Sequence, residues 1–300
     1  MNMQHEYLLK IVEEIARVGS IRGAADMLSI TPSALNRRLL GLEGELDTQL
    51  FERTSNGVML NPAGEIFITH ARRQLADMKA VLSKIADLKG VRRGRVVIAV
   101  DDNVATIGSF AQEIATYQQA FDGVSFIVNP MAREDIAQAL AEYRADLALQ
   151  LHPRTDSKIA SLCATPVGVT VIARKNHPAL QKGSVRLHEV AQFPWALPPR
   201  GPLRKAVETS AVRQGLSHRI GLEVSSGFAV ATMLNSDTIG FEVTTDADTS
   251  YPHHLSHCAL AARDYTPMFL HLSQQQGRSL SVAAGRFAEQ VRKSYAGLDA

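Results

Sequence analysis

Cysteine is scarce in this chain of 300 residues, which contains Cys163 and Cys258 and no other. The two lie far apart in apolar stretches, and neither is next to a lysine or arginine that would lower its thiol pKa. We therefore expect two reduced thiols in a reducing compartment and no disulfide framework. A redox-sensing pair is the alternative.

The sequence also lacks a long apolar run. The longest runs, such as residues 96–100, are far shorter than the roughly 20 residues that a membrane-spanning helix needs. The first six residues contain neither a basic segment nor an apolar one, so we expect no secretory signal. These absences predict a cytoplasmic protein with no membrane partner. The hydrophobic and charged fractions, 45% and 21%, are those of an ordinary globular fold.

Catalytic and metal-binding motifs are missing as well. There is no glycine-rich phosphate loop and no nucleophile elbow. His253, His254 and His257 come closest to a metal site, but no carboxylate is placed to complete the set, and Cys258 would point away from His257 on a strand. We therefore expect no catalytic residue, no metal and no cofactor. The alternative function is an α/β-domain enzyme or small-molecule-binding protein with an appended helical domain.

The most informative pattern lies between residues 20 and 61. Ser20 is predicted to cap a short helix whose Ala24 and Ala25 would let a second helix cross closely. Thr31 is predicted to cap that second helix, because Pro32 follows at the first helical position, where a missing N–H costs nothing. The spacing therefore predicts two helices set at an angle.

The second of these helices has two different faces. Leu35, Leu39 and Leu42 repeat at spacings of four and three, which predicts a buried face. The opposite side would carry the polar and basic side chains that a helix in the major groove of DNA needs. They are Ser33, Asn36 and Arg37, with Leu40 among them and Arg38 on a flank. On spacing alone, an ordinary surface helix pair is the alternative.

A two-stranded wing is predicted over residues 51–60, because Asn56-Gly57 is a strong hairpin signal. Arg53 on this wing would contact a phosphate or enter the minor groove, unless it is an ordinary solvated arginine. Residues 1–60 carry six basic side chains against eight acidic ones, a balance that argues against DNA binding. Arg37 and Arg38 are nevertheless the only charged residues between positions 30 and 42, which predicts a local basic face.

This stretch closely resembles the DNA-binding domain of LysR-type transcriptional regulators. The matching residues are Gly19, Ser20, Ala24, Ala25, Leu28, Thr31, Ala34, Leu35, Arg37, Leu42, Glu43, Leu46, Leu50, Phe51, Arg53, Leu60, Ala63 and Gly64. Asn36, Asp47 and Asn61 stand where the family usually has Ser, Gly and Thr. Only Asn36 lies on the predicted DNA face, so it bears on which operator sequence is bound.

The resemblance covers essentially the whole chain and implies a ligand-responsive regulator that binds double-stranded operator or promoter DNA. It also implies a small-molecule effector, a homodimer or homotetramer, and contact with RNA polymerase. The predicted DNA contacts are Thr31, Ser33, Asn36, Arg37, Arg38 and Arg53.

One long helix is predicted over residues 62–89, between a cap at Asn61 and a stop at Gly90. Its apolar residues repeat at spacings of three and four, as in the seam of a coiled coil. They are Ile68, Ala71, Leu75, Met78, Leu82 and Ile85. We expect this helix to form a dimer that brings two DNA-binding domains to two half-sites. Burial against the chain's own core is the alternative.

Beyond residue 91 strands and helices alternate, which predicts a mostly parallel sheet covered by helices. The first set comprises strands at 95–100, 124–129 and 146–151 and helices at 107–119 and 133–143. The second comprises strands at 168–173, 195–197, 220–224 and 238–243 and helices at 203–214 and 227–234. The chain would then return to the first set through 258–262, followed by a strand at 268–272 and a helix at 279–295.

This arrangement resembles the two-lobed effector-binding domain of the same regulators, which is similar in shape to a periplasmic binding protein. The expected fold is thus an all-α winged helix-turn-helix domain with a long linker helix, followed by a two-lobed α/β domain. The predicted limits are 1–61 for the DNA-binding domain, 62–90 for the linker and 91–300 for the effector-binding domain. Lobe I would contain about 91–162 and 264–300, and lobe II about 163–263.

Ligands of open α/β sheets bind beyond the carboxyl ends of strands, near helix N-termini. This rule selects six candidates: Asp102, Asn103, Asn129, Arg200, Ser225 and Ser226. Arg200 could pair with a carboxylate, and the two serines could bind an anion. Asp101 and Asp102 are either helix N-caps or a sign that the effector carries an amine. Each candidate could equally be a plain loop residue.

Overall fold

The computed structural model describes residues 3–55, 57–88, 93–102, 104, 108–153, 156–180, 183–224, 237–245 and 251–296. The chain divides into two compact units. The first comprises Met1–Lys89 with Glu142–Arg144, and the second comprises Gly90–Ala141 with Ala145–Ala300. Within the described ranges, no helix combines the length and the apolar character needed to cross a membrane.

The described part of the first unit contains helices and one small hairpin, as predicted. The helices are α1 (Met3–Val18), α2 (Ile21–Met27), α3 (Pro32–Glu45) and α4 (Pro62–Leu88). The hairpin is formed by antiparallel strands β1 (Phe51–Thr54) and β2 (Gly57–Leu60). Asn56, in the predicted turn, lies outside the described residues.

Side chains cap the N-termini of three of these helices. The side-chain oxygens of Ser20, Thr31 and Asn61 each accept a hydrogen bond from the backbone N–H three residues further on, at 3.3, 3.3 and 2.8 Å. The three predicted caps are therefore confirmed. Each such bond satisfies one N–H group that the first helical turn leaves without a partner, which stabilises a helix by about 1 kcal/mol.

The core of the first unit lies where α1, α3 and α4 meet. Ile15, Leu35 and Ile68 are fully buried there, with exposed fractions of 1% or less. The start of α4 approaches the chain just before the wing so closely that a Cβ on Gly64 would overlap the carbonyl oxygen of Leu50. Glycine at this position therefore lets the linker helix leave the domain at its observed angle.

The first lobe of the second unit is built on parallel strands. β3 (Gly94–Asp101) lies between β4 (Val124–Met131) and β5 (Leu147–Leu151), and pairs with both in parallel. The lobe also contains α5 (Gly108–Ala120), α6 (Arg133–Ala141), the antiparallel strand β12 (Met268–Gln275) and α9 (Val282–Ala296). Tyr117 on α5 packs edge-on against Phe287 on α9, with ring centroids 5.5 Å apart.

The second lobe contains a mixed sheet in which β8 (Pro194–Leu197) pairs in parallel with β9 (Arg219–Glu223) and with β10 (Ile239–Thr244). β11 (Leu255–Leu260) completes it beside the short strand β7 (Ser184–Val185). Its described helices include α7 (Leu187–Val190) and α8 (Pro202–Arg213). The predicted helix at 227–234 lies outside the described residues.

One strand runs through both lobes. β6 (Ile159–Arg174) pairs with β12 as far as Val167 and with β10 from Gly168 onward. The predicted strand at 168–173 is therefore only its second half. The first half was missed because Pro166, which cannot donate to a neighbouring strand, interrupts the segment and argues against a central strand there.

The predicted return of the chain through residues 258–262 is wrong. Cys258 pairs with Val171 of β6, and both Cys258 and Leu260 are buried in the core of the second lobe. They therefore belong to β11, and the chain crosses to the first lobe between β11 and β12. Burial of these apolar side chains holds the segment in the second lobe.

Candidate functional site

Helix α3 presents the two faces that the sequence predicts. Leu35 and Leu39 are buried in the core of the first unit. Ser33 and Arg37 are exposed on the opposite side, while Asn36 is half-buried between the two faces. The exposed face therefore begins at the N-terminus of α3, which is the end that reads base edges in helix-turn-helix proteins.

The N-terminus of α3 is held by a short hydrogen-bond chain. Thr31 Oγ1 accepts from the N–H of Ala34 and lies 3.2 Å from Ser33 Oγ. Because Thr31 caps the helix, its hydroxyl has a structural role in addition to any role at DNA. Ser33 is exposed and keeps further hydrogen-bonding capacity for a ligand.

Arg38 is oriented by an aromatic ring of another helix. Its guanidinium carbon lies 4.6 Å from the centre of the Tyr7 ring on α1, a cation–π geometry. The side chain stays exposed, so the contact aligns it without burying it. Arg53 is also exposed, in the middle of β1, where it faces Val58 of the partner strand. The N–H of Val58 donates to the carbonyl of Gly19 at 2.9 Å, which ties the wing to the start of α2.

One acidic residue in the first unit is internal. Glu43 is 9% exposed, and its Oε1 accepts a hydrogen bond from the N–H of Leu50 at 2.7 Å. It lies on the buried side of α3 with Leu39 and Leu42. The negative net charge of residues 1–60 therefore does not describe the N-terminal half of the exposed face of α3, where Arg37 and Arg38 are the charged side chains; the exposed Glu45 lies at the other end of the helix.

The predicted seam of α4 is divided into two parts. Ile68 and Ala71 are buried in the core of the first unit. Further along the helix, Leu82 and Ile85 are 53% and 46% exposed, and Leu88 is 88% exposed. Burial against the chain's own core thus accounts for the first half of the seam, whereas the second half forms an exposed apolar surface.

A cleft of about 1330 Å³ lies between the two lobes of the second unit. Of the predicted ligand contacts, Asp102 and Arg200 line it. Asn129 is exposed on β4 and is not among the described residues that line this cleft. Asn103, Ser225 and Ser226 fall outside the described residues. The structure thus brings two of the six candidates together.

Helix α5 is described from Gly108 onward, and residues 105–107 before it lie outside the described residues, so an N-cap role for Asp101 or Asp102 stays a prediction. Asp101 is fully buried at the end of β3, whereas Asp102 is half-buried and lines the cleft. Burial raises the pKa of the Asp102 carboxyl, and the neighbouring Asp101 raises it further. A cationic group beside Asp102 would offset both effects and favour its charged form.

The cleft also contains residues that the sequence analysis missed, namely Glu134, Gln150 and His152. Glu134, in the first turn of α6, forms an ion pair with Arg200 of the second lobe. Gln150 and His152 lie at the carboxyl end of β5, so the same strand-end rule that selected Asp102 would have found them.

His152 has an unusual backbone conformation at this edge. Its φ of 45° lies in the left-handed region, which is uncommon for residues other than glycine. The carbonyl accepts a hydrogen bond from the Arg133 side chain, and the ring Nε2 lies 3.1 Å from the carbonyl oxygen of Pro267. The Phe269 ring packs edge-on against the imidazole. Contacts from two segments, α6 and residues 267–269, therefore hold the bend that ends β5 in the cleft wall.

Among the residues that the structure describes, the two cysteines and the histidines outside the cleft form no metal-binding cluster. Burial raises the pKa of Cys258 to about 11, and it also raises the pKa of Cys163. On β11, His257 is exposed and Cys258 is buried, so they point to opposite faces. The described part of the chain contains no group of three or more potential metal ligands.

Two family models match this chain. The model described as the LysR substrate binding domain matches residues 89–296. The model described as the bacterial regulatory helix-turn-helix protein, lysR family, matches residues 7–65. The first match falls largely in the second compact unit and the second match in the first, and residues 66–88 of α4 lie between the two matches.

Individual proteins are similar over the whole length or over half of it. The RuBisCO operon transcriptional regulator of Allochromatium vinosum is 27% identical in an alignment 297 positions long, which covers 94% of each chain. The HTH-type transcriptional regulator PunR of Escherichia coli K12 is 32% identical over 147 residues, covering 49% of this chain and 47% of PunR.

Solved structures share the fold. Full-length CbnR in complex with its target DNA superposes with a TM-score of 0.68 at 17% identity, covering 98% of this chain and all of CbnR. A full-length OxyR variant from Pseudomonas aeruginosa gives a TM-score of 0.67 at 16% identity, covering 97% of this chain and 95% of OxyR.

Proposed function

Because the chain belongs to the family of LysR-type transcriptional regulators, we propose that it controls transcription in response to a small molecule bound between its two lobes. Members of this family are regulators and not enzymes. The observation that carries the DNA-binding part is the two-faced helix α3. One side is buried in the first unit, and the other offers Ser33 and Arg37 to a major groove.

The proposed interface with the operator has two parts. The N-terminal half of α3 would read bases, and the wing would contact the DNA backbone through Arg53. Tyr7 supports this arrangement because it aligns Arg38 at the edge of α3. The proposed contacts are Thr31, Ser33, Asn36, Arg37, Arg38 and Arg53. CbnR, which has the same fold, has been solved with its target DNA.

A second copy of the chain would cover the apolar end of α4. Leu82, Ile85 and Leu88 form an exposed surface that suits another helix. The resulting dimer would present two copies of α3 to an interrupted palindrome. A tetramer, contact with RNA polymerase at the promoter, and a cytoplasmic location are further parts of the proposal. The domain limits of 1–61, 62–90 and 91–300 belong to it as well.

The cleft would bind the effector, and lobe movement would change how the two α3 helices sit on DNA. Asp102 and Arg200 support this because they line one cavity from opposite lobes. Thermodynamic linkage then requires reciprocity, so DNA must change the affinity for the effector by the same factor as the effector changes the affinity for DNA.

A gel shift combined with footprinting tests the proposal. The probe is the DNA upstream of the protein's own gene and of its divergent neighbour. Wild type should protect an interrupted palindrome, and Arg37→Ala should lose about 1–3 kcal/mol of binding free energy. Arg219→Ala, an exposed arginine on β9, is the matched control and should bind as wild type does. Equal binding by wild type and Arg37→Ala at low salt would contradict the assignment of α3.

A further inference from the structure

The two walls of the cleft carry opposite charges. The acidic wall is formed by the first lobe and by the segment just before β6. It contains Asp102, Glu134 and Asp156. The basic wall belongs to the second lobe and contains Arg200 and Lys205, with no acid among the described residues that line that side. Arg133 also lines the first-lobe side, where its side chain donates to the carbonyl of His152, so this wall is acidic in balance and not exclusively so. A ligand in this cleft therefore meets anions on one side and cations on the other.

A buried amide faces the cleft from the acidic wall. Gln150 is 4% exposed and lines the cleft, yet its Oε1 has no hydrogen-bond partner within the described part of the chain. Buried polar atoms in folded proteins nearly always have a partner. A ligand that places an N–H or O–H group against Gln150 would supply the missing donor, and a purely anionic group would not.

The basic wall also contains the start of α8. Gly201 is the N-cap residue, has a φ of 121°, and makes no side-chain capping bond. The first backbone N–H groups of a helix lack partners within the helix and attract anions. Gly201, Pro202 and Lys205 all line the cleft, so this helix terminus faces the ligand space. A carboxylate there would meet two cationic side chains and the N–H groups of the first turn, to which Pro202 contributes none.

We propose that the cleft binds a zwitterion, namely one of the standard amino acids. The ammonium group lies against Gln150 Oε1 and Asp102, and the carboxylate lies against Arg200, Lys205 and the first turn of α8. This inference rests on the proposed function in one respect, because it takes the bound ligand to be the effector. In the present structure Glu134 and Arg200 bridge the two walls directly, and the ligand's own charges replace that contact.

The test uses full-length protein without DNA. Standard amino acids are screened at millimolar concentration by thermal shift and calorimetry, and each hit is compared with its des-amino acid and its decarboxylated amine. We expect at least one amino acid to bind, and both truncated analogues to bind roughly 10- to 100-fold more weakly, as expected for lost charge-assisted hydrogen bonds. Absence of any amino acid hit, or a des-amino acid that binds as tightly as its parent, would overturn the proposal.

Variants separate the two walls. Gln150→Leu should weaken the hit roughly 10-fold or more, while Gln192→Leu, an exposed glutamine outside the cleft, should leave it unchanged. Lys205→Met alters an exposed side chain and therefore should not impair folding. This variant should bind the amino acid more weakly than wild type does, and it should bind the decarboxylated amine with unchanged affinity. An equal loss for both ligands would contradict the proposed orientation.

The operator assay distinguishes this inference from the proposed function. If the protein binds an amino acid but protects no operator, the zwitterion site is supported and the proposed regulatory function is contradicted. If the protein protects an operator but binds no amino acid, the regulatory function is supported and the zwitterion site is contradicted.

Discussion

At the scale of single residues, side chains in the first unit have roles that their charge alone does not reveal. Glu43 matches the LysR pattern in sequence, yet in the structure it is an internal acceptor for the backbone of Leu50. Thr31 is both a helix cap and a proposed DNA contact. Substitution at such positions changes folding as well as binding. A control variant must therefore be chosen by the contacts that its side chain makes in the structure, and not by its charge alone.

Glu43→Ala should destabilise the first unit. It leaves the buried N–H of Leu50 without an acceptor, which costs about 1–3 kcal/mol. Urea unfolding measures the loss, and Glu43→Gln, which keeps a carbonyl acceptor, should retain most of the stability. Glu45→Ala, on an exposed position of the same helix, serves as the control. Equal losses for Glu43→Ala and Glu45→Ala would show that the bond contributes nothing.

The carboxyl of Glu242 predicts a pH dependence of stability. Burial raises its pKa from 4.5 to about 7, although a hydrogen bond from the Tyr251 hydroxyl, at 2.9 Å, lowers the pKa in part. The folded state thus binds the proton more tightly than the unfolded chain, so the free energy of unfolding falls as pH rises through this window.

Glu242→Gln should remove that dependence and stabilise the protein by roughly 2–3 kcal/mol above pH 7, where the native carboxyl is charged. Gln still offers an oxygen to Tyr251. Urea unfolding at a series of pH values checks this, with Asp122→Asn, an exposed acid, as the control. A wild-type stability that stays flat or rises between pH 5 and 7, with the variant following it, would contradict the prediction.

At the scale of elements, the sequence predicted the features that depend on residues close together in the chain, and it missed those that depend on distant residues. The caps at Ser20 and Asn61 and the two faces of α3 arise from contacts within a few residues, and all of them were predicted. The first half of β6 was missed, because its strand pairing is with β12, more than one hundred residues away, and Pro166 obscures the local pattern. Long-range pairing overrides such local signals.

The cleft shows the same limit. Asp102 and Arg200 could be selected as strand-end and loop residues, but nothing local indicates that Glu134 meets Arg200 or that the Gln150 amide is buried. Those facts depend on how two lobes built from distant segments face each other. The division of the α4 seam is similar, because burial of Ile68 depends on α1.

The exposed end of α4 predicts an effect on assembly. Leu82→Glu places a charge on the apolar surface formed with Ile85 and Leu88, and should shift the protein from dimer to monomer in sedimentation. The free energy of unfolding of the monomer should be little changed, because the side chain is already 53% exposed. Gln74→Glu adds the same charge at an exposed position nearer the start of α4 and is the control. A Leu82→Glu protein that remains dimeric would locate the interface elsewhere.

At the scale of the whole second unit, the Glu134–Arg200 ion pair joins the lobes at the cleft. Both side chains are substantially exposed, at 47% and 77%, so their coupling should be about 0.2–1 kcal/mol. A double-mutant cycle with Glu134→Gln and Arg200→Gln, measured by urea unfolding, gives this value. A coupling near zero at low salt would mean that the pair does not hold the cleft closed.

The continuity of β6 restricts the motion that a ligand could drive. The strand is hydrogen-bonded to β12 on one side of the Val167–Gly168 junction and to β10 beyond it. Sliding one lobe past the other would break one of those ladders, whereas rotation about the two chain crossings preserves both. The two crossings therefore act as a hinge that allows rotation about essentially one axis. A ligand bound in the cleft would change the angle between the lobes.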